Sequence, residues 1–239
     1  MDLIKEKWNS KDYDTCVKHL YSLEDIKYKE FHSKLTFNSN IIGIKTPILK
    51  EISRNICKGN FTSFIDLVSN NTYEEWLIFG LIIGYSKLKF DEKLKLLDEY
   101  IINIDNWASC DIVCANLKDF KKNKEIGYKY ILKLIKSNKC WPMRVGIVLL
   151  LDFYIEENYL NGIFDVCNSI NTEEYYVKMA ISWLISICYI KYPEETLKYL
   201  KNNKLDKFTY NKAIQKIIES NRISKDEKEN LRKLKRKFE

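Results

Sequence analysis

The chain has 239 residues, of which 46% are hydrophobic and 31% are charged, and its formal net charge is +7. This length and hydrophobic content allow a substantial buried core and exclude an intrinsically disordered chain. The sequence contains only seven glycines and three prolines, too few for the frequent tight turns of a β-sandwich or β-barrel. The composition therefore favours a helical protein.

The first helix signals lie between residues 46 and 85. Thr46 followed by Pro47 predicts an N-cap and a first-turn proline before "ILKEISRNI". Thr72 with Glu75 forms the pattern of a capping box before the apolar run 76–85. That run is shorter than the roughly 20 residues that a membrane-spanning helix requires. We therefore expect it to be a buried core helix.

Similar signals continue to the end of the chain. The second long apolar run, 144–155, is also too short to cross a membrane and predicts another core helix. Further helix starts are predicted at Pro142, after Thr172, at Pro193, and at Ser224 with its partner Glu227. Short polar links such as "SNN" and "KNNK" separate these segments, and no strand-like alternation intervenes. The pattern predicts about a dozen helices.

Successive helices with so little between them favour an all-α fold of stacked antiparallel helix pairs, an α-solenoid. No fixed repeat period is visible, so the repeats are predicted to be degenerate, and a non-repeating helical domain stays open as an alternative. No shift in composition marks a boundary, and we expect one domain over residues 1–239. The last fifteen or so residues are predicted to form a helix.

The N-terminal segment and the cysteines indicate the compartment. The segment "MDLIKEKWNSKDYD" is charged throughout and has no apolar stretch with a cleavage site, which argues against secretion. Seven cysteines without a C-x-x-C pattern fit neither a disulfide framework nor a zinc ribbon. Only Cys110 and Cys114 have helical i, i+4 spacing, and the chain has just two histidines, His19 and His32. We expect reduced core cysteines, no metal site and a cytoplasmic protein.

The net positive charge is partly concentrated in the tail "NLRKLKRKFE". Such an excess favours a polyanionic partner without identifying it. Solvated lysine-rich helix faces explain the charge equally well. Charge alone leaves both interpretations open.

Four polar or aromatic side chains inside apolar helices are candidates for a functional site. Trp107 and Asp111, in "NWASCD", are one helical turn apart on the same face. Arg144 begins a helix that is otherwise almost entirely apolar, and Trp183 lies within "AISWLIS". A buried charge costs several kcal/mol unless it is paired or faces a wet groove. The sequence contains no phosphate-binding glycine loop, G-x-S-x-G or H-E-x-x-H motif.

Each of these residues also has a purely structural interpretation. Tryptophan in an apolar helix is usually part of the core. Asp111 could be a buried, hydrogen-bonded residue, and Arg144 could pair with Asp152 or Glu156. The remaining tryptophans, Trp8, Trp76 and Trp141, are assigned to packing.

Five segments in order resemble one family. They are "YKEFHSKL…NIIGIKTPILKEI", "EEWLIFGLIIG", "NWASCDIVCANLK", "WPMRVGIVLLL" and "YYVKMAISWLI". From about residue 20 to 220 the chain resembles the DNA alkylation repair enzymes of the AlkD type, the HEAT-like-repeat DNA glycosylases. The resemblance implies that Trp107 and Asp111 are the catalytic tryptophan and aspartate, that Trp183 is a second catalytic tryptophan of the groove, and that Arg144 binds DNA. It leaves open an aromatic contribution from Tyr28 or Phe31.

The implied activity is release of N3- and N7-alkylated purines, such as 3-methyladenine and 7-methylguanine, from double-stranded DNA. The implied enzyme is a monofunctional glycosylase that needs no cofactor and no metal, and we expect a monomer that does not bind membranes. The rival hypothesis is a HEAT-like DNA-binding or protein-interaction scaffold without glycosylase activity. A test for released base distinguishes the two.

Overall fold

The structure is a computed structural model, and it describes residues 1–36 and 40–236. These residues form fourteen α-helices and one short 3-10 turn, Lys118–Lys121, and they contain no strand. Contacts within the chain divide it into two compact units, Met1–Lys122 and Asn123–Glu239. The prediction that residues 1–239 form a single domain stays a prediction.

The first unit contains seven helices among its described residues, and they lie in chain order with short connections. Their bounds are α1 (Ser10–Ser22), α2 (Ile26–Ser33), α3 (Thr46–Ile56), α4 (Phe61–Ile65), α5 (Tyr73–Tyr85), α6 (Phe90–Ile102) and α7 (Trp107–Cys114). Helix α5 is the centre of this unit, because it packs against α3, α6 and α7. Its side chains from Leu77 to Ile83 are almost all fully buried, which confirms the predicted core helix.

The second unit is built in the same way. Its helices are α8 (Lys124–Ile135), α9 (Cys140–Phe153), α10 (Glu157–Ser169), α11 (Tyr175–Lys191), α12 (Pro193–Lys201), α13 (Lys207–Glu219) and α14 (Lys225–Lys233). Consecutive helices pair, as α8 does with α9, while α11 packs on both α9 and α13. The predicted all-α fold of HEAT-like helix pairs is confirmed within each unit.

The caps explain where several helices begin. Thr72 and Ser224 are N-caps whose side chains accept from the backbone N–H groups of Glu75 and Glu227, as predicted. Pro142 lies in the first turn of α9, and Pro193 begins α12. Two helices begin at other residues than predicted. The N-cap of α3 is Lys45 and not Thr46, and α11 begins at Tyr175, three residues after Thr172.

The chain continues after α13 into the predicted C-terminal helix. Helix α14 packs on α13, and its Leu231 is 1% exposed. The hydroxyl of Tyr189 on α11 donates to Glu227 on α14 at 2.7 Å. The last three residues of the basic tail, 237–239, lie outside the described residues. No helix in residues 1–36 or 40–236 combines the length and apolar character needed to cross a membrane.

Candidate functional site

Helix α7 presents Trp107 and Asp111 on one face of the first unit. Asn106 is its N-cap, and the Asn106 side chain accepts from the backbone N–H of Ser109 at 2.9 Å. Because this cap makes Trp107 the first helical residue, Asp111 follows one turn later on the same side. Cys110 and Val113 point into the core, whereas Trp107 and Asp111 are both half-buried. Each therefore keeps part of its surface accessible to a ligand.

The indole of Trp107 is held by a residue far away in sequence. Its Nε1–H donates to the backbone carbonyl of Leu35 at 3.0 Å. Leu35 belongs to the turn that ends α2, where the backbone N–H groups of Leu35 and Thr36 both donate to the carbonyl of His32. The end of α2 therefore orients the tryptophan ring.

A buried histidine lies under this turn. His32 is 5% exposed, its ring contacts the rings of Tyr28 and Tyr73, and its Nδ1 has no hydrogen-bond partner. Desolvation by burial lowers the pKa of His32, and the nearby carboxylate of Glu74 partly opposes this shift. Burial therefore favours the neutral form of His32. Phe31, the residue before His32 on α2, is 61% exposed.

Glu74 fixes the chain segment that follows the α2 turn. Its fully buried carboxylate accepts backbone N–H groups from Ile42 at 2.9 Å, Gly43 at 2.7 Å and Ile44 at 3.1 Å. Gly43 has a φ of 104°, a left-handed conformation that glycine adopts without strain. The sequence analysis did not identify this role of Glu74. The available signal was its position in the first turn of an otherwise apolar helix.

A polar cavity of about 280 Å³ opens beside the N-terminal ends of α5 and α7. Side-chain amides and hydroxyls dominate its lining, which includes Asn40, Asn71, Thr72, Asn103, Asn106 and Ser109. The cavity is thus adjacent to the cap that begins the Trp107–Asp111 helix.

Arg144 lies in the second unit, near the start of α9. It is 5% exposed, and its Nη1 donates to the backbone carbonyl of Tyr176 on α11 at 2.7 Å. The guanidinium carbon also lies 5.9 Å from the centre of the Tyr176 ring. Glu156, one of the two partners considered for Arg144, instead pairs with Lys124 at 2.8 Å. Arg144 therefore links the N-terminal part of α9 to the first turn of α11.

Trp183 is half-buried on α11. It follows Tyr176 by seven residues, which places both side chains on the same face about 10 Å apart along the helix axis. The structure therefore places Arg144 and Trp183 on packed helices of the second unit, and Trp107 with Asp111 on one helix of the first.

Sequence reasoning missed an aromatic cluster beside Arg144. Trp141 stacks on Tyr176 with ring centres 5.1 Å apart, Tyr176 contacts Tyr175, and Tyr175 contacts Phe208 on α13. Tyr175 is 55% exposed, and Trp141 is only half-buried. Each ring lies in the first turn of its helix. This shared position was the feature of the sequence that could have predicted the cluster. Trp8 and Trp76 pack against neighbouring rings, as predicted.

The net charge is confined to the second unit. Residues 1–122 contain 18 Lys and Arg against 18 Asp and Glu, whereas residues 123–239 contain 22 against 15. The difference of seven in the second unit accounts for the whole net charge of +7. A surface with this excess attracts polyanions at long range.

The family of DNA alkylation repair enzymes matches residues 18–217. The chain belongs to this family. The resemblance seen in the five sequence segments is thus confirmed, and the family implies DNA binding and a part in alkylation repair. No curated protein matches the chain. The matched range contains Trp107, Asp111, Arg144 and Trp183, and it ends before α14.

Side chains of the types that bind metals are not grouped in the part of the chain that the structure describes. In residues 1–36 and 40–236, no group of three His, Cys, Asp or Glu side chains could hold a metal ion. The seven cysteines are free thiols, and five of them are buried. Burial raises the pKa of Cys16 and Cys57 to about 12, so neither thiol is ionised at neutral pH.

Proposed function

We propose that the protein is a DNA glycosylase that releases cationic N3- and N7-alkylated purines, 3-methyladenine and 7-methylguanine among them, from duplex DNA. The observation that carries the proposal is the pair on α7. In a chain of the DNA alkylation repair family, a carboxylate and a tryptophan lie one turn apart, both half-buried, and the indole is fixed by Leu35. This arrangement offers a preorganised charge beside an aromatic surface.

Release of a cationic base needs little more than the negative charge of Asp111. An N3- or N7-alkylated purine carries a positive charge, so the base leaves with the electron pair of the glycosidic bond and becomes neutral. Positive charge then develops on the sugar, where the carboxylate of Asp111 stabilises it electrostatically. The same carboxylate accepts a proton from the attacking water, which adds to the sugar carbon. The products are the free base and an abasic site.

The other residues bind the damaged nucleotide. The electron-rich faces of Trp107 and Trp183 attract a cationic base or sugar, each contact being worth about 0.5–2 kcal/mol. Arg144 is always charged and mostly removed from water, which strengthens its attraction for a phosphate oxygen that reaches it. We assign Asp111, Trp107 and Trp183 to catalysis and Arg144 to DNA binding.

We further propose that the enzyme acts as a cytoplasmic monomer without a metal or other cofactor, and that it does not bind membranes. It is proposed to be monofunctional, because the mechanism uses water and no lysine as the nucleophile. Such an enzyme leaves the abasic site uncut.

Release of methylated base from defined duplexes tests this function. With excess protein and EDTA present, a duplex containing one 7-methylguanine should lose that base and show no strand break before alkali treatment. A matched uracil or 1,N6-ethenoadenine duplex should stay essentially intact, because these neutral leaving bases need protonation that the proposed mechanism does not provide. Tight binding without release would support the scaffold hypothesis. Equal rates on uracil and 7-methylguanine would contradict the mechanism.

A further inference from the structure

The tail that follows α14 is anchored to the second unit through Arg236. The side-chain amide of Asn211 on α13 donates to the backbone carbonyl of Arg236, and its oxygen accepts from the backbone N–H of Arg236, both at 2.9 Å. The guanidinium of Arg236 donates to the carbonyl of Leu205 at 2.6 Å and lies 4.0 Å from the centre of the Tyr210 ring. These contacts fix the path of residues 234–236.

This path brings the side chain of Lys235 against α13. Lys235 donates to the side chain of Gln215 at 2.6 Å. Gln215 follows Lys212 by three residues and immediately precedes Lys216, so the ammonium of Lys235 lies on the part of α13 that carries both lysines. Lys233, at the end of α14, is exposed. Lys212, Lys216, Lys233 and Lys235 are called here the C-terminal basic face.

None of the four lysines forms an ion pair within residues 1–36 and 40–236. The carboxylate nearest in the sequence of α13, Glu219, accepts from the amide of Gln215. Some other lysines do have a carboxylate partner, such as Lys29 with Glu24 and Lys178 with Glu173. Like charges held together repel one another, and a bound polyanion relieves that repulsion.

We propose that the C-terminal basic face binds phosphates of duplex DNA outside the damaged nucleotide. Two observations support DNA as the partner: the chain belongs to a DNA repair family, and all of its net charge is in the second unit. Half of the face belongs to a segment beyond the family match, which ends at residue 217. The face contributes affinity for any duplex, damaged or intact, and takes no part in breaking the glycosidic bond. The inference rests on the proposed function only for its choice of duplex DNA.

Salt dependence of binding tests the proposal. Each lysine–phosphate contact releases about one counterion, so the negative slope of log affinity against log salt should become less steep by about two when two lysines are lost. We expect Lys233→Gln with Lys235→Gln to show that change and about tenfold weaker binding of an undamaged duplex at 0.1 M salt. The double variant Lys212→Gln with Lys216→Gln should show the same changes in salt slope and affinity. Glutamine at 235 retains a donor for Gln215, and circular dichroism checks the fold.

A matched control removes two lysines from the electroneutral first unit. Lys11 and Lys18 are exposed on α1, and the double change to glutamine lowers the net charge by the same amount. Equal losses in the control and the test variants would overturn the proposal, because net charge alone would explain them. An unchanged salt slope in both test variants would also overturn it, as would weaker binding of anionic phospholipid vesicles with DNA affinity intact.

Base release measured in the same variants separates this inference from the proposed function. At saturating protein and low salt, both lysine variants should release 7-methylguanine at the parent rate. If the parent protein releases no base but the lysine variants still lose duplex affinity, the proposed function is refuted and the proposal for the C-terminal basic face is supported. If base release is observed but the affinities are unchanged, the basic face fails and the proposed function stands.

Discussion

Asp111 is one turn from Trp107 on α7 and is half-buried. Asp111→Asn keeps the size of the side chain and removes its charge, and in the proposed mechanism this charge is what stabilises the sugar in the transition state. We expect the single-turnover rate of 7-methylguanine release to fall by about 10²–10³ with duplex affinity unchanged or higher. Asp14→Asn, at an exposed position of α1, is the control. A parent-like rate in a folded Asp111→Asn protein would refute the assignment.

The buried imidazole of His32 gives a second prediction at this scale. Because burial lowers the pKa of folded His32 below its ordinary value of 6.5, the unfolded chain takes up the proton first as the pH falls. The stability that this residue contributes is complete above pH 6.5 and declines as the pH drops through 6.5 towards the folded pKa. His32→Phe should therefore flatten the loss of stability below pH 6.5.

Urea unfolding between pH 5 and 8 measures this effect. The control is His19→Gln, since His19 is only half-buried and is the other histidine of the chain. An unchanged pH dependence in His32→Phe would contradict the prediction, as would an equal flattening in His19→Gln.

For single residues, the sequence predicts contacts between neighbours on one helix and does not predict contacts between distant segments. The i, i+4 pair Trp107 and Asp111 was predictable, because helical periodicity alone puts the two side chains on one face. The contact of Trp107 with the Leu35 carbonyl was not, because 72 residues separate them and a backbone acceptor has no sequence signature. The burial of Arg144 against Tyr176 was missed for the same reason, since it depends on how α9 packs on α11.

At the scale of elements, two predicted helix boundaries followed from local chemistry, because a side chain makes each cap. Thr72 and Ser224 accept from backbone N–H groups three residues later, and their helices begin where expected. Helix α11 begins later than Thr172 suggested, and its N-cap, Glu174, makes no side-chain capping bond. Where no side chain makes the cap, the local sequence does not mark the boundary.

Helix α5 stabilises the neighbouring segment through Glu74. Glu74→Gln replaces one acceptor oxygen by an N–H donor, which leaves at least one buried backbone N–H of residues 42–44 unpaired. We expect a loss of about 2–4 kcal/mol in the free energy of unfolding, because bonds to a buried charge are strong and an orphaned donor is costly. Urea denaturation measures it, with exposed Glu51→Gln on α3 as the control. A change below about 0.5 kcal/mol would contradict this role.

At the scale of the molecule, the sequence revealed the amount of charge and only part of its distribution. The basic tail is apparent in the amino-acid sequence. Its approach to the part of α13 that carries Lys212 and Lys216 depends on the hydrogen bonds between Asn211 and the backbone of Arg236. The confinement of the net charge to residues 123–239 became apparent only from the boundary between the compact units. Charge placement therefore required the fold, whereas the fold class followed from composition and the recurring helix-start signals.

The single-domain prediction for residues 1–239 is tested by Glu74→Gln. If the two compact units unfold together, a destabilising change in the first unit must lower the stability of the second by the same free energy. Hydrogen exchange followed by mass spectrometry across a urea series reports separately on peptides from residues 40–122 and 123–236. We expect both sets to show the same midpoint in the parent protein and the same shift to lower urea in Glu74→Gln. A shift confined to residues 40–122, with the midpoint of 123–236 unchanged, would show two independently folding domains.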